Sequence, residues 1–330
     1  MPQMAYSASA FPPSYGPALS GTKTLPSHGK SSSGRRSRSV GAELMHISRH
    51  GPYSAFEIVY RAAILFANLR EMPSGDLARS AAYEGLDPSE KGAVSYFMGL
   101  TVAKLTAGRL LDVPWLMHLD VYRNELGLPA GSTRPDLLGR NASGAWVAME
   151  AKGRTHGLSE VTMTKAKKQV EALRSVGGEP ITLGVALQAH FGGGMLRCEM
   201  RDPEVPDEAR LDLKLEGGRF VEDYYRPFRE WLPSAARART EAVQGQLFFV
   251  AELPEVDLSV GLREDLLMGR DDTLARRAGA DETAPAADEG FAGADGILVR
   301  TGALWSAENM RLEPQARQGS SARSAGDAKG

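Results

Sequence analysis

Glu150 and Lys152 are separated by one residue in the run Trp146-Val147-Ala148-Met149-Glu150-Ala151-Lys152. In an extended chain side chains alternate faces, so Glu150 and Lys152 project from one side, shared with Trp146 and Ala148. Val147, Met149 and Ala151 take the other side and suit a core. Two charges on an otherwise apolar strand need a purpose, because burying either one unpaired is costly. Thirteen residues separate Asp136 from Glu150, and Asn141 to Gly144 between them are turn formers. A hairpin there returns Asp136 to the side of Glu150. Two carboxylates at one point raise each other's pKa unless a cation joins them. Oxygen donors of this kind suit Mg²⁺ or Mn²⁺. The Ala151 carbonyl, between the two charged residues, is a further oxygen for the same ion. Lys152 would stand beside the cation, able to orient a water or to stabilise developing charge on a phosphate. The competing reading is a surface hairpin, with Glu150 and Lys152 an exposed pair worth under about 1 kcal/mol.

The elements that must position these residues are read from periodicity. Ile58, Val59, Ala62, Leu65, Phe66 and Leu69 recur at helical spacing, which predicts a helix over 55–72. Asp87-Pro88 starts a second helix, from Ser89 to about Leu111. Val113 to Tyr122 reads as a strand. Pro135 to Leu138 and Ala145 to Ala151 form the two arms of the hairpin. Ser159 caps a helix to about Val176, with Met163, Ala166, Val170 and Leu173 on its core face and Gly177-Gly178 as its C-cap. Ile181 to Ala189 and Met195 to Met200 are strands, joined by the Gly192-Gly193-Gly194 turn. Arg219 to Leu232 is an aromatic-rich helix, and Leu247 to Leu253 and Ile297 to Arg300 are late strands. Ala275 to Gly290 reads as a flexible loop.

Arg134-Pro135-Asp136, thirteen residues, then Glu150-Ala151-Lys152 together resemble the signature of the PD-(D/E)XK nuclease superfamily. The likeness covers roughly Ser89 to Ala189. It implies an α/β restriction-endonuclease-like core of helix, three strands, helix and strand, with a central mixed sheet flanked by helices. It implies Asp136 and Glu150 as metal ligands, Lys152 as the catalytic lysine, and Mg²⁺ or Mn²⁺ as cofactor. The implied activity is hydrolysis of phosphodiester bonds in nucleic acid, DNA foremost. Many members carry a Glu on the first core helix that also reaches the metal. Glu90 is the best-placed match, with Glu84 behind it, although Glu90 in a first turn would equally complement the helix dipole. Lys165, Lys168 and Gln169 share a face of the following helix and are candidates for nucleic-acid binding, against the plainer reading of a solvated basic face. Gln169 resembles a glutamine that some exonuclease-type members place there, but Leu173 stands where an aromatic usually follows. The alternative function is a non-catalytic nucleic-acid-binding or assembly module that retains the fold.

The chain has 330 residues, 42% of them hydrophobic, enough for a sizeable core. The net charge of −2 advertises no nucleic-acid partner overall, but the field that matters in a groove is local. Cys198 is the only cysteine, which excludes an internal disulfide and a cysteine-based zinc cluster. No apolar run approaches the roughly 20 residues of a membrane helix. No signal peptide is evident, so a cytoplasmic location without membrane contact is expected. Residues 1–40, rich in Ser, Gly and Pro with a basic cluster at Arg35, Arg36 and Arg38, read as a disordered tail. Residues 41–88 read as an N-terminal helical segment, 89–305 as the nuclease-like domain with a C-terminal extension, and 306–330 as a second disordered tail. His46 and His50 have a metal-binding spacing but no third ligand, and His156 reads as a loop histidine.

Overall fold

The computed structural model describes residues 3–26, 53–203, 211–269 and 291–305, apart from 125, 127, 129, 130, 132 and 244. His46, His50, the Arg35–Arg38 cluster, the 275–290 loop and the chain from 306 lie outside the described residues. In chain order the elements are β1 (Gln3–Ser9), β2 (Gly21–Pro26), α1 (Tyr53–Asn68), β3 (Leu69–Glu71), β4 (Leu77–Arg79), α2 (Ala81–Gly85), α3 (Pro88–Leu110), β5 (Trp115–His118), β6 (Leu137–Arg140) and β7 (Trp146–Arg154). There follow α4 (Glu160–Glu171), β8 (Leu173–Val176), β9 (Glu179–Gly192), β10 (Met195–Arg201), β11 (Leu211–Leu213), α5 (Gly217–Trp231), β12 (Ala238–Val243), β13 (Gln246–Leu253), β14 (Leu258–Arg263), α6 (Glu264–Leu267), β15 (Phe291–Ala292) and β16 (Ile297–Thr301).

The protein is α/β, with a large mixed sheet flanked by helices. Its main path runs β2-β1-β10-β9-β7-β6-β5. The hairpin pairs β6 and β7 antiparallel with Leu137 opposite Met149, and β7 runs parallel to β9. Helix α4 supplies the crossover that a parallel pair requires. On one face α3 sets Leu100, Val102, Ala103 and Ala107 in a core with Val147, Met149 and Ala151. On the other, Met163 and Ala166 of α4 pack on Ala186, and Phe220 of α5 meets the Trp146 ring edge-on at 5.1 Å. The aromatic face of α5 joins this sheet to a second, antiparallel one, β12-β13-β14-β16-β15. A buried polar group crosses the same junction: Lys104 Nζ lies 3.2 Å from Asp295 Oδ2 and donates to Tyr224 Oη at 2.8 Å, and Tyr224 donates to Asp295 at 2.7 Å. No helix among the described residues is long and apolar enough to cross a membrane.

Several elements differ from the sequence reading. Residues 3–26, expected within a disordered tail, form β1 and β2, and β1 pairs in parallel with β10. Met4, Tyr6 and Ala8 alternate into the core, a period-two signal hidden in polar composition. The main sheet therefore takes strands from before residue 89. The first helix stops at Asn68, whose side chain donates to Ile64 O at 2.9 Å, and 69–71 turns back as a strand. Only Trp115–His118 of the 113–122 run is extended; a short 3-10 turn follows. Helix α4 ends at Glu171, not near Val176. Gly177 and Gly178, at φ 60° and 84°, make the tight turn between β8 and β9, a use of paired positive-φ residues that suits a hairpin.

Helix α3 begins as expected: Asp87 accepts from Ser89 and Glu90 N–H, and Glu90 accepts from Asp87 N–H at 3.0 Å, a reciprocal capping box. It crosses β7 where neither chain has a side chain. A Cβ on Gly99 would sit 2.8 Å from Gly153 N, and one on Gly153 would fall onto the Ser95 carbonyl. Gly92 of the same helix faces open space. Gly92→Ala should therefore stabilise the protein by about 1 kcal/mol through helix propensity. Gly99→Ala should destabilise it by about 1–3 kcal/mol through forced separation from β7. Urea denaturation of the two variants checks this; equal stabilisation by both would contradict the crossing.

Candidate active site

Strand β7 continues past the end of β6, and the site forms at that step. Its even-numbered residues face away from α3, so Glu150 and Lys152 emerge together, as the alternation predicts. Leu137 is the last ladder partner of β6, which leaves the Asp136 N–H free to donate to Glu150 Oε2 at 2.6 Å. The Asp136 carbonyl accepts from Leu119 N–H at 2.9 Å, tying the residue to the turn after β5. Lys152 Nζ forms an ion pair with Glu150 Oε1 and lies 3.7 Å from Asp136 Oδ2. Asp136, Glu150 and Lys152 are thus brought together. The Glu150 side chain is 0% exposed, against 21% for Asp136 and 27% for Lys152. An exposed surface pair is excluded by that burial.

Burial, and then the Asp136 charge, push the Glu150 carboxyl up to about 8, with Lys152 opposing the shift. Tyr96 of α3 lies within the field of both carboxylates. Its hydroxyl meets His118 Nε2 at 3.0 Å, and burial followed by the Asp136 charge raises it to about 12. His118 Nδ1 accepts from Asp120 N–H at 3.2 Å, so Nε2 of the neutral ring carries the proton given to Tyr96. Burial holds His118 below its ordinary value against the pull of Asp136 and Asp120. Arg134 pairs with Asp120, and Gln169 donates to the Arg134 carbonyl at 3.2 Å.

Glu90 is not part of this group. Its carboxylate is consumed by the capping box, and Tyr96, six residues or about 9 Å further along the helix, is the α3 residue at the carboxylates. Glu84 lies with Arg79, 2.9 Å away. Ala151 separates Glu150 from Lys152, with its side chain in the α3-side core. Lys165 and Lys168 are exposed on α4, while Gln169 is half-buried and bonded within the chain. Tyr96 and His118 were not singled out from sequence; neither sits in a motif, and only the fold brings them to Asp136.

Among the described residues no group of three or more His, Cys, Asp and Glu side chains is disposed to hold a metal. The two carboxylates nevertheless fit a hard cation, since Mg²⁺ keeps several waters and takes one or two carboxylates. Lys152 Nζ now balances both of them. The chain matches no family model, no curated protein and no solved structure.

The raised Glu150 carboxyl has a consequence for folding. Between its ordinary 4.5 and about 8 this group is protonated to a greater extent in the native protein than in the unfolded chain. The native state then binds more protons than the unfolded one, so its stability falls as pH rises through that window. Glu150→Gln should flatten the decline, gaining on the parent at pH 8.5 relative to pH 5 in urea titrations. Parallel pH profiles for the two proteins would overturn the assignment.

Proposed function

We propose that the chain is a metal-dependent nuclease, with Asp136 and Glu150 holding Mg²⁺ or Mn²⁺ and Lys152 acting at the scissile phosphate. The observation that carries this reading is the convergence of two carboxylates and one ammonium at the end of a sheet hairpin, with one carboxylate fully buried. The order α3, three strands, α4, then β9 is in keeping with a restriction-endonuclease-like core, β8 being an added strand. A bound divalent cation would supply Lewis acidity at a phosphoryl oxygen. The protein's own residues do the rest. The Asp136 N–H and the strand ladder hold the Glu150 carboxylate in one orientation. Lys152, partly exposed on a flexible stem, can leave the carboxylates and place its ammonium on a phosphate oxygen as negative charge grows there. Exposed Lys165 and Lys168 on the neighbouring helix add positive potential for a nucleic-acid backbone. The alternative, a binding module without catalysis, draws support from the same Lys152 contact, which leaves the pair neutralised without a metal.

DNA is the first substrate to test, followed by RNA. The purified protein should cleave linear, circular, single-stranded or structured nucleic acid with Mg²⁺ or Mn²⁺ and not with EDTA. Asp136→Asn, Glu150→Gln and Lys152→Ala should each lower activity by about 100-fold or more while the protein stays folded. Val147→Asp, from the buried opposite face of β7, should instead lose the fold. Absence of cleavage on every substrate with either metal would favour the binding module, and full activity in Glu150→Gln and Lys152→Ala would remove the site assignment.

A further inference from the structure

We infer that Arg154, His190 and Arg197 form a subsite for a backbone phosphate of nucleic acid, on the same sheet face as Glu150 and Lys152. The inference rests on the nuclease reading for its substrate class. Its geometry is independent of the carboxylates. The three residues are aligned across three neighbouring strands, because Arg154 of β7 pairs with His190 of β9 and His190 pairs with Arg197 of β10. The preceding row contains Lys152 opposite Gln188. Leu187, Ala189, Leu196 and Cys198 point to the α3 side, so His190 and Arg197 point to the other, with Arg154. The row therefore begins one pleat, about 7 Å, beyond Lys152 and spans about 10 Å across the sheet.

Two of these residues, Arg154 and His190, carry buried polar atoms without the partners such atoms normally find. His190 is 9% exposed, and its Nδ1 is buried with no hydrogen-bond partner among the described residues. The same holds for Arg154 Nε, although Arg154 Nη1 reaches Thr162 Oγ1 at 3.4 Å. An unsatisfied buried group is costly and calls for an occupant. Nearby acids do not supply it: Glu160 and Glu199 both pair with Arg201. The cations of the row are thus uncompensated by any ion pair among the described residues. Gly192 opens the space. A Cβ there would lie 3.2 Å from Arg197 Cδ and 3.4 Å from His190 Cε1, so both side chains close over a position that only glycine leaves empty. A tetrahedral anion with several acceptor oxygens suits two guanidiniums and an imidazole N–H.

Binding of a labelled DNA oligonucleotide in EDTA tests this apart from cleavage. Arg154→Gln and Arg197→Gln should each weaken binding about tenfold. The double variant should also reduce the slope of log affinity against log salt by about 1, the loss of one phosphate contact. Arg174→Gln, an exposed residue paired with Asp212 elsewhere, should leave both quantities unchanged. Because Arg197 is exposed, its variant should keep the parent's melting temperature. Parental affinity and slope in Arg197→Gln and in the double variant would overturn the subsite, as would a parent that binds no DNA. Weakened binding in the variants, with no cleavage by the parent under any metal, would keep the subsite and discard the nuclease reading. Cleavage by the parent with unaltered binding in the variants would do the reverse.

Discussion

A carboxylate with no access to water must have its charge settled by neighbours, and in this protein that carboxylate belongs to Glu150. Its two oxygens are met by the Asp136 N–H and the Lys152 ammonium. Each of those contacts imposes a demand on the fold. Strand β6 must begin no earlier than Leu137 so that the amide of the preceding residue, Asp136, is released from the ladder. Strand β7 must run on past β6, paired there with β9, so that Lys152 falls on the same face two residues on. Helix α3 must close over the strand, which it does only because Gly99 and Gly153 let the backbones approach. The neighbouring Tyr96, His118, Asp120 and Arg134 then form a chain of contacts around the pair that fixes where Asp136 can sit.

What could be read from sequence was what local periodicity encodes. The hairpin, the shared face of Glu150 and Lys152, the start of α3 and the α/β class all follow from alternation, turn residues and a cap. The burial of Glu150 does not, because the same alternation serves an exposed pair as well as a sealed one. Glu90 illustrates a second ambiguity: an acidic residue in a first helical turn fits a ligand and a capping box, and the capping box uses it. Gly177-Gly178 fits both a helix end and a hairpin turn, and the β8–β9 pairing decides between them. For residues 3–26 composition and period disagreed, and tertiary pairing with β10 favoured the period. Tyr96, His118 and the Arg154–His190–Arg197 row depend on contacts between distant segments, for which one sequence carries no local mark.

The basic row and the carboxylate pair share one face of the sheet but differ in what holds them. The pair is braced by its own hydrogen bonds, while the row leaves nitrogens unpartnered among the described residues. Only β7 is common to both: the pair sits on the β6–β7 hairpin, and the row crosses β7, β9 and β10.

The contact of Lys104 with Asp295 and Tyr224 bears on how this chain can be inherited or divided. Lys104 is buried, and burial pulls its pKa down against the opposing Asp295 charge. Its counterion lies in the turn between β15 and β16 of the second sheet, 191 positions later in the chain. A gene shortened to the main sheet alone would leave the Lys104 ammonium beside Tyr224 without its counterion, and stranding one member of such a buried pair costs about 3–5 kcal/mol. That is a large share of the stability of an ordinary domain. The antiparallel sheet is therefore not an appendage that recombination can exchange freely; its loss would have to be accompanied by a neutral residue at 104.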